Sequence, residues 1–315
     1  MKMKCSVTLT SYRDASQQEV AFRSWDDRYI QLGRGEYYGY AACLDFGSVS
    51  VMEESINVIV DMMTCPPNGH LLLVLPLGSI HSHHVNGSLA PQSGFAQLGG
   101  NAINVVTEAN SRWLMVLTSF ACLPDLEPKT VAPLASFEML PELRQTAMWL
   151  SGLIASSPEK LRSADDRIAS VLPRLILDKV TEIYGQIADT GAKTVLRETY
   201  ASEVCRKARR VVGQLGFAPL GVSELAREMR IPQHVLRQAF ADSLGISPSV
   251  WLRQNRLNMV RRTLLEMREN EASVTDVAMN HGFFHLGRFS AYYARSFGEL
   301  PSKTLERVQR RSRDV

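Results

Sequence analysis

Apolar residues between positions 36 and 117 come in short runs. Turn formers break them at Gly47, Pro66-Pro67-Asn68-Gly69, Gly78, Asn86-Gly87 and Gly99-Gly100. Segments 37–46, 48–60, 71–75, 102–107 and 113–118 are predicted strands, and their number and spacing predict an antiparallel sandwich or barrel. The period then lengthens. Segments 141–156 and 164–187 carry apolar residues three and four apart, the second at Ile168, Val171, Leu172, Leu175, Ile176, Val180 and Ile183. Two amphipathic helices are expected, whose apolar faces need a partner in the β-rich part or in a second subunit. Asp189-Thr190-Gly191-Ala192-Lys193 reads as a boundary, and the pattern after it is helical nearly throughout.

A chain of 315 residues predicts two domains, and 45% hydrophobic with 21% charged residues supplies a sizeable core. That mix excludes a mostly disordered chain, a collagen-like chain and a small disulfide scaffold. The longest apolar run, 71–77, has strand length and contains Pro76, so no membrane span is expected. The first twenty residues hold no apolar stretch of the signal-peptide kind. Cys5, Cys43, Cys65, Cys122 and Cys205 are odd in number and scattered, the usage of a reducing cytoplasm. The net charge of +3 conceals a partition. Residues 1–204 carry 16 basic and 22 acidic side chains; residues 205–315 carry 19 and 10. A basic third behind an acidic remainder is the footprint of a nucleic-acid-binding module joined to something else, although a solvated charged surface would look the same.

An internal repeat within the basic third decides between these. Val222-Ser223-Glu224-Leu225-Ala226 recurs 52 residues on as Val274-Thr275-Asp276-Val277-Ala278. Past the next turn the offset becomes 53, with Leu236 and Phe240 answering to Phe289 and Tyr293. One extra residue therefore belongs in the second turn. Each copy has the grammar of a helix-turn-helix: a short helix with a small residue (Ala226, Ala278), a tight turn, and a second helix with apolar residues four apart. Gly221 and Ser273 fall at equivalent N-caps, and Glu224 and Asp276 in the first turns, where a carboxylate suits the helix dipole. Between the copies, 248–269 is one helix, roughly 30 Å long. Such a strut suits two recognition helices set into successive major grooves about 34 Å apart.

The stretches GVSELAREMRIPQHVLRQAF, LGISPSVWLRQNRLNMVRRTLL and VTDVAMNHGFFHLGRFSAYYARSFGELPSKTL resemble the DNA-binding domain of AraC/XylS-type transcription regulators. LRQAF, LGISP and RLNMVRR, with GFFHLGRFS and FGELPSKTL, lean towards the subgroup containing the ethanolamine-utilisation regulator. The resemblance covers about a third of the chain. It departs from the family at Arg230-Ile231-Pro232, where a glycine, a small apolar residue and a serine are usual. Arg230 must then adopt a turn conformation usually given to glycine, while the second copy keeps Gly282. Pro232 is compatible with the first helical position.

With Leu236, Ala239 and Phe240 assigned to the core, Gln233, His234, Arg237 and Gln238 face outward. Arg237 and Gln238 are the best base readers, since arginine pairs bidentately with a guanine edge and glutamine with an adenine edge. In the second copy His285, Arg288 and Ala291 face outward. The resemblance places base contacts on His234, Arg237 and Gln238 and from Leu286 to Ala291. Any one of these could equally touch phosphate, where most protein–DNA hydrogen bonds go. Arg253, Arg256, Arg295 and Lys303 are assigned to phosphates or to bracing the connecting helix.

Other signals carry less. Ile80-His81-Ser82-His83-His84 invites a metal reading, yet the next carboxylate is Glu108, so an exposed polar loop is expected. Cys43, Cys65 and Cys122 sit in apolar contexts and read as small hydrophobes rather than redox sensors. No Walker sequence or nucleophile triad is present, and no cofactor is expected. The expected architecture is α+β. Residues 1–190 form a sensing or dimerising part, with a cupin-like β-rich domain over 1–125 and a helical segment over 137–190. Residues 200–315 form an all-α DNA-binding domain with two helix-turn-helix units. The expected function is a cytoplasmic DNA-binding transcription activator, not an enzyme, with double-stranded DNA, RNA polymerase and a small-molecule effector as partners. It would act as a homodimer through the 164–187 helix. A DNA-tethered metal- or thiol-dependent sensor or enzyme and a non-specific architectural binder are the competing readings.

Overall fold

The computed structural model describes residues 6–22, 25–78, 82–91, 93–123, 131–156, 166–189, 194–216, 220–267 and 272–313. The N-terminal part holds two antiparallel sheets. The larger runs in the order β1 (Ser6–Tyr12), β3 (Gly39–Asp45), β4 (Val49–Ile56), β11 (Ser111–Ser119), β6 (His70–Pro76), β9 (Ser93–Leu98), β12 (Leu134–Glu138), β13 (Thr194–Val195). The smaller runs β2 (Arg28–Gln31), β5 (Val60–Thr64), β10 (Ile103–Val106), β7 (Ser82–Val85), β8 (Ser88–Pro91).

The apolar run in β6 follows from burial of the large sheet on both faces. Alternate residues of a strand point to opposite sides. Leu71, Leu73 and Leu75 pack with Leu114 and Val116 of β11 on one side. Leu72 and Val74 pack with Met115 and Leu117 on the other, against Tyr29, Val60, Met62 and Val105 of the small sheet. A short helix α1 (Ala15–Gln18) follows β1, and helices α2 (Pro141–Ala155) and α3 (Asp166–Asp189) cover the first face through Leu143, Leu150, Ile154, Ile176, Val180 and Ile183. The molecule is thus layered here as small sheet, large sheet and helices.

Several expectations are corrected. Segment 48–60 is two strands, β4 and β5, with Asn57, Val58 and Ile59 between them. The histidine-rich loop is in part a strand: Ser82–Val85 pairs with β8 and β10, while Ile80 and His81 lie outside the described residues. Among the described residues no group of three His, Cys, Asp or Glu is placed to hold a metal. The stripe on α3 is narrower than its sequence, because Leu172, Ile176, Val180 and Ile183 are buried while Val171 and Leu175 are about half exposed. Thr190–Lys193 of the expected boundary lie outside the described residues, and β13 beyond them returns to pair with β12. No helix among the described residues is long and apolar enough to cross a membrane.

The C-terminal part is helical: α4 (Tyr200–Leu215), α5 (Val222–Glu228), α6 (Gln233–Leu244), α7 (Pro248–Glu266), α8 (Val274–Asn280), α9 (Leu286–Phe297) and α10 (Pro301–Arg313). It has two cores joined by one helix. Trp251 and Leu252, early in α7, pack with Val204, Ala208, Leu225, Leu236 and Phe240. Leu257, Val260 and Leu264, later in α7, pack with Phe283, Phe289, Tyr293 and Phe297. The helix ends at Glu266, three residues short of the expected Glu269, which itself lies outside the described residues.

Buried polar contacts join the two parts. Asp61 on β5 accepts from Arg209 Nε on α4 at 3.0 Å and from Trp251 Nε1 on α7 at 3.0 Å. Asp14 pairs with the buried Arg261, and Glu19 accepts twice from Arg262, at 2.7 and 2.8 Å. Gln31 exchanges backbone hydrogen bonds with the side-chain amide of Asn258, and its own amide donates to Ser296 O at 2.8 Å. Four positions on the N-terminal part thereby hold both helical cores.

Candidate nucleic-acid interface

Each recognition unit is built by the same local devices. Helix α5 starts at Gly221, whose N–H donates to Glu224 Oε2 at 2.6 Å. Helix α8 starts at Ser273, whose Oγ accepts from Asp276 N at 3.1 Å while Asp276 Oδ2 accepts from Ser273 N at 3.0 Å. The Ser273 hydroxyl, donating to Asp276 Oδ2 at 2.6 Å, and then the Ser273 backbone N–H hold the Asp276 carboxyl below its usual range. Both first helices close with the same pair of backbone bonds. Arg230 N donates to Arg227 O and Ile231 N to Ala226 O; Gly282 N donates to Met279 O and Phe283 N to Ala278 O. Arg230 has φ 54° and Gly282 φ 78°, so the arginine adopts the left-handed turn its position requires. The two turns match despite the departure in sequence. Pro232 sits at the N-cap of α6 rather than the first helical position, and offers no side-chain cap.

The second helix of each unit presents one face to solvent. Leu236, Ala239 and Phe240 are buried in α6, as are Phe289 and Tyr293 in α9. His234, Arg237 and Gln238 are exposed and Gln233 is half-buried. Arg237 Nη2 donates to Gln233 Oε1 at 3.0 Å, Gln233 Nε2 to Ser223 Oγ at 2.9 Å, and Gln238 Nε2 to Asp242 Oδ1 at 2.7 Å. All three hydrogen bonds lie at the surface, so these polar side chains are ordered on the outer face of α6. In α9, Arg288 and Ala291 are exposed, Leu286 is half-buried, and His285 caps the helix with its ring exposed. Phe284, 67% exposed beside His285, was not foreseen. Its signal was the doubled Phe283-Phe284, of which only one can enter the core.

Arg253 and Arg256 stand apart from this set. The Arg253 guanidinium lies 4.6 Å over the Tyr292 ring, and that of Arg256 lies 5.2 Å over Phe283. Both are half-buried, and burial together with the neighbouring Arg253 charge pushes the Arg256 guanidinium below its usual value. Through these stackings they tie α7 to the second unit. Lys303 pairs with Glu306 at 2.9 Å and Arg295 is exposed. None of the contacts named above between the two parts uses a residue of this exposed set.

The thiols sit unfavourably for reactivity. Burial pushes Cys43 and Cys205 up to about 12, and Cys65 is raised as well, so none of the three offers a thiolate near neutral pH.

Residues 225–307 match the model of a helix-turn-helix domain. XylDLEGF operon transcriptional activator 3 of Pseudomonas putida is 32% identical over 161 residues, covering 50% of this chain and 46% of that protein. XylDLEGF operon transcriptional activator 2 of the same species is 35% identical over 123 residues, covering 36% of this chain and 78% of that protein. The chain belongs to the AraC/XylS family of helix-turn-helix transcription regulators. It spans 27% to 46% of the length of the first curated members it matches. The crystal structure of the AraC-like transcriptional activator CuxR aligns over 81% of this chain and 96% of its own, at 16% identity and a TM-score of 0.41.

Proposed function

We propose that this family member is a sequence-specific DNA-binding transcription activator that answers to a small molecule. The observation that carries the reading is the pair of matched units on one helix. A 19-residue α7 spans about 28 Å, and each end holds a recognition helix whose exposed face carries arginine, glutamine or histidine. Arg237, Gln238, His234 and Gln233 read one major groove, and His285, Arg288 and the 286–291 turn of α9 read the next. The basic excess of the C-terminal third supplies salt-dependent affinity on phosphates. Contact with RNA polymerase is part of the proposal and is drawn from the activators it is similar to. Leaning towards the ethanolamine subgroup rests on the quoted motifs alone.

Dimerisation is proposed through the outer face of α3, where Val171 and Leu175 are exposed one turn apart. Residues 1–190 would then be the sensing and dimerising part, and 200–315 the DNA-binding part. Selection of fragments from random DNA by the purified chain tests the reading. A motif with two half-sites about one helical turn apart is expected. Recovery of unrelated sequences would favour the non-specific architectural reading.

A further inference from the structure

Inside the N-terminal part, between the two sheets, lies a cavity of about 40 Å³ whose walls include Phe22, Trp25, Tyr29, Phe95, Trp113 and Glu54. Glu54 is 1% exposed. Its oxygens accept from Gln18 Nε2 at 2.7 Å, Tyr29 OH at 2.9 Å and Trp113 Nε1 at 3.1 Å. An indole N–H and an amide NH₂ can only donate, so the surroundings are organised around acceptor oxygens. All three donors are neutral. Arg112, which also borders the cavity, is taken by Glu53 and Ser151. Among the described residues Glu54 has no cation within ion-pair distance. An ionised carboxylate buried without a counter-charge is costly. The neighbouring Glu53 shows the contrast, since it has both Arg112 and a serine hydroxyl.

We propose that this cavity takes a small organic cation, an alkylammonium head, with Glu54 as its counter-ion and the surrounding rings as its cage. The faces of Trp, Tyr and Phe attract a cation through their quadrupoles, most strongly when it is desolvated. Neutral or anionic ligands would leave the carboxylate uncompensated or repel it. A volume of about 40 Å³ restricts the buried group to a few heavy atoms, so a larger ligand would place only its charged end here. The site also has a route to the DNA-binding helices. Tyr29, which holds Glu54 by its hydroxyl, donates its backbone N–H to Glu19 at 2.6 Å, and Glu19 holds Arg262 of α7. Gln18 is the neighbour of Glu19 in the chain. The inference gives a ligand class to the signal in the proposed function, and rests on that reading for any effect on DNA.

Binding is measured without DNA, so the two readings fail separately. Saturation-transfer NMR on the full chain would compare methylammonium with methanol and formate, its neutral and anionic counterparts. Saturable binding of methylammonium alone is expected, weakened roughly tenfold or more in Glu54→Gln because a charge-assisted contact is removed. Absence of saturable methylammonium binding, equal binding of methanol, or unchanged binding in Glu54→Gln would overturn the proposal. Should Glu54→Gln fail to fold, Trp25→Leu at the half-buried side of the cage is expected to weaken methylammonium binding severalfold, and unchanged binding there would equally overturn it.

Discussion

Residues of one type take different roles here according to what surrounds them. Arg237 is exposed and hydrogen-bonded to Gln233 at the surface, whereas Arg253 is half-buried and stacked on Tyr292. Arg237→Ala is therefore expected to cost about 1–3 kcal/mol on the preferred DNA site and to relax choice at one base pair. Arg253→Ala should weaken all sequences alike. Equal losses across sequences for both variants, read by competition binding, would show that Arg237 does not read a base. The carboxylates divide in the same way. Burial raises Glu54 to about 7 from 4.5, against hydrogen bonds from Gln18, Tyr29 and Trp113. Burial likewise raises Asp27 to about 7 from 3.8. From roughly the unfolded values up to pH 7, the folded chain holds protons that the unfolded chain has released, so stability falls as pH rises through that window. Thermal midpoints of the ligand-free chain should drop between pH 5 and 7.5, and the drop should be smaller in Glu54→Gln. A midpoint that rises over this range would contradict the assignment. In the sequence both sites had a visible signal: Glu53-Glu54 and Asp61 stand inside apolar strands, where a charge must find a partner. Which partner it finds is set by tertiary placement, so neither the cavity nor the joint was legible.

At the scale of elements, legibility followed periodicity. The helices of the repeat, the extra residue in the second turn and the strands at β6, β10 and β11 are plain in the chain, because each is apolar at a regular spacing. Strand β1, Ser-Val-Thr-Leu-Thr-Ser-Tyr, is rich in hydroxyl side chains at an edge, and β7 holds His83 and His84. Their pairing comes from neighbours, not from apolar content, so β1 carries no strand signal of its own and the segment of β7 reads as a polar loop. The repeat also hid what α7 does beyond linking two units. Trp251 and Arg261 fit its buried stripe, yet each carries polar hydrogens that the helix cannot satisfy, and the partners come from Asp61 and Asp14 far away in sequence. Asp61→Ala would leave the nearly buried Arg209 guanidinium and the Trp251 N–H without their acceptor. A loss of about 3–5 kcal/mol is expected by denaturant unfolding. A loss within a few tenths would mean that the joint contributes little to the fold.

Across the whole molecule, the N-terminal part touches α4, α7 and Ser296 of α9 and leaves the recognition residues exposed. A change in that part can thus alter how the two units are held without covering the exposed faces of α6 and α9. A fragment from about residue 200 onward is expected to keep sequence preference, at lower stability than the intact chain, because Arg209, Arg261 and Arg262 lose their carboxylates. The α3 helix carries buried and exposed apolar residues within one turn, Leu172 inside and Val171 and Leu175 outside. Leu172→Glu places a charge in the core and should unfold the N-terminal part, while Leu175→Glu should give a folded monomer by sedimentation. A folded dimer of Leu175→Glu would move the interface elsewhere.

The claim on which the account turns is that two matched recognition helices choose a DNA sequence together. The most direct measurement is fluorescence anisotropy of the full chain on its selected site and on a scrambled duplex at fixed salt, repeated with Arg237→Ala and Arg288→Ala. Preference for the selected site by roughly 10³ or more is expected. Each variant should lose discrimination in its own half-site and retain it in the other. Equal affinity for the two duplexes, or variants that lose selected and scrambled DNA alike, would contradict the account.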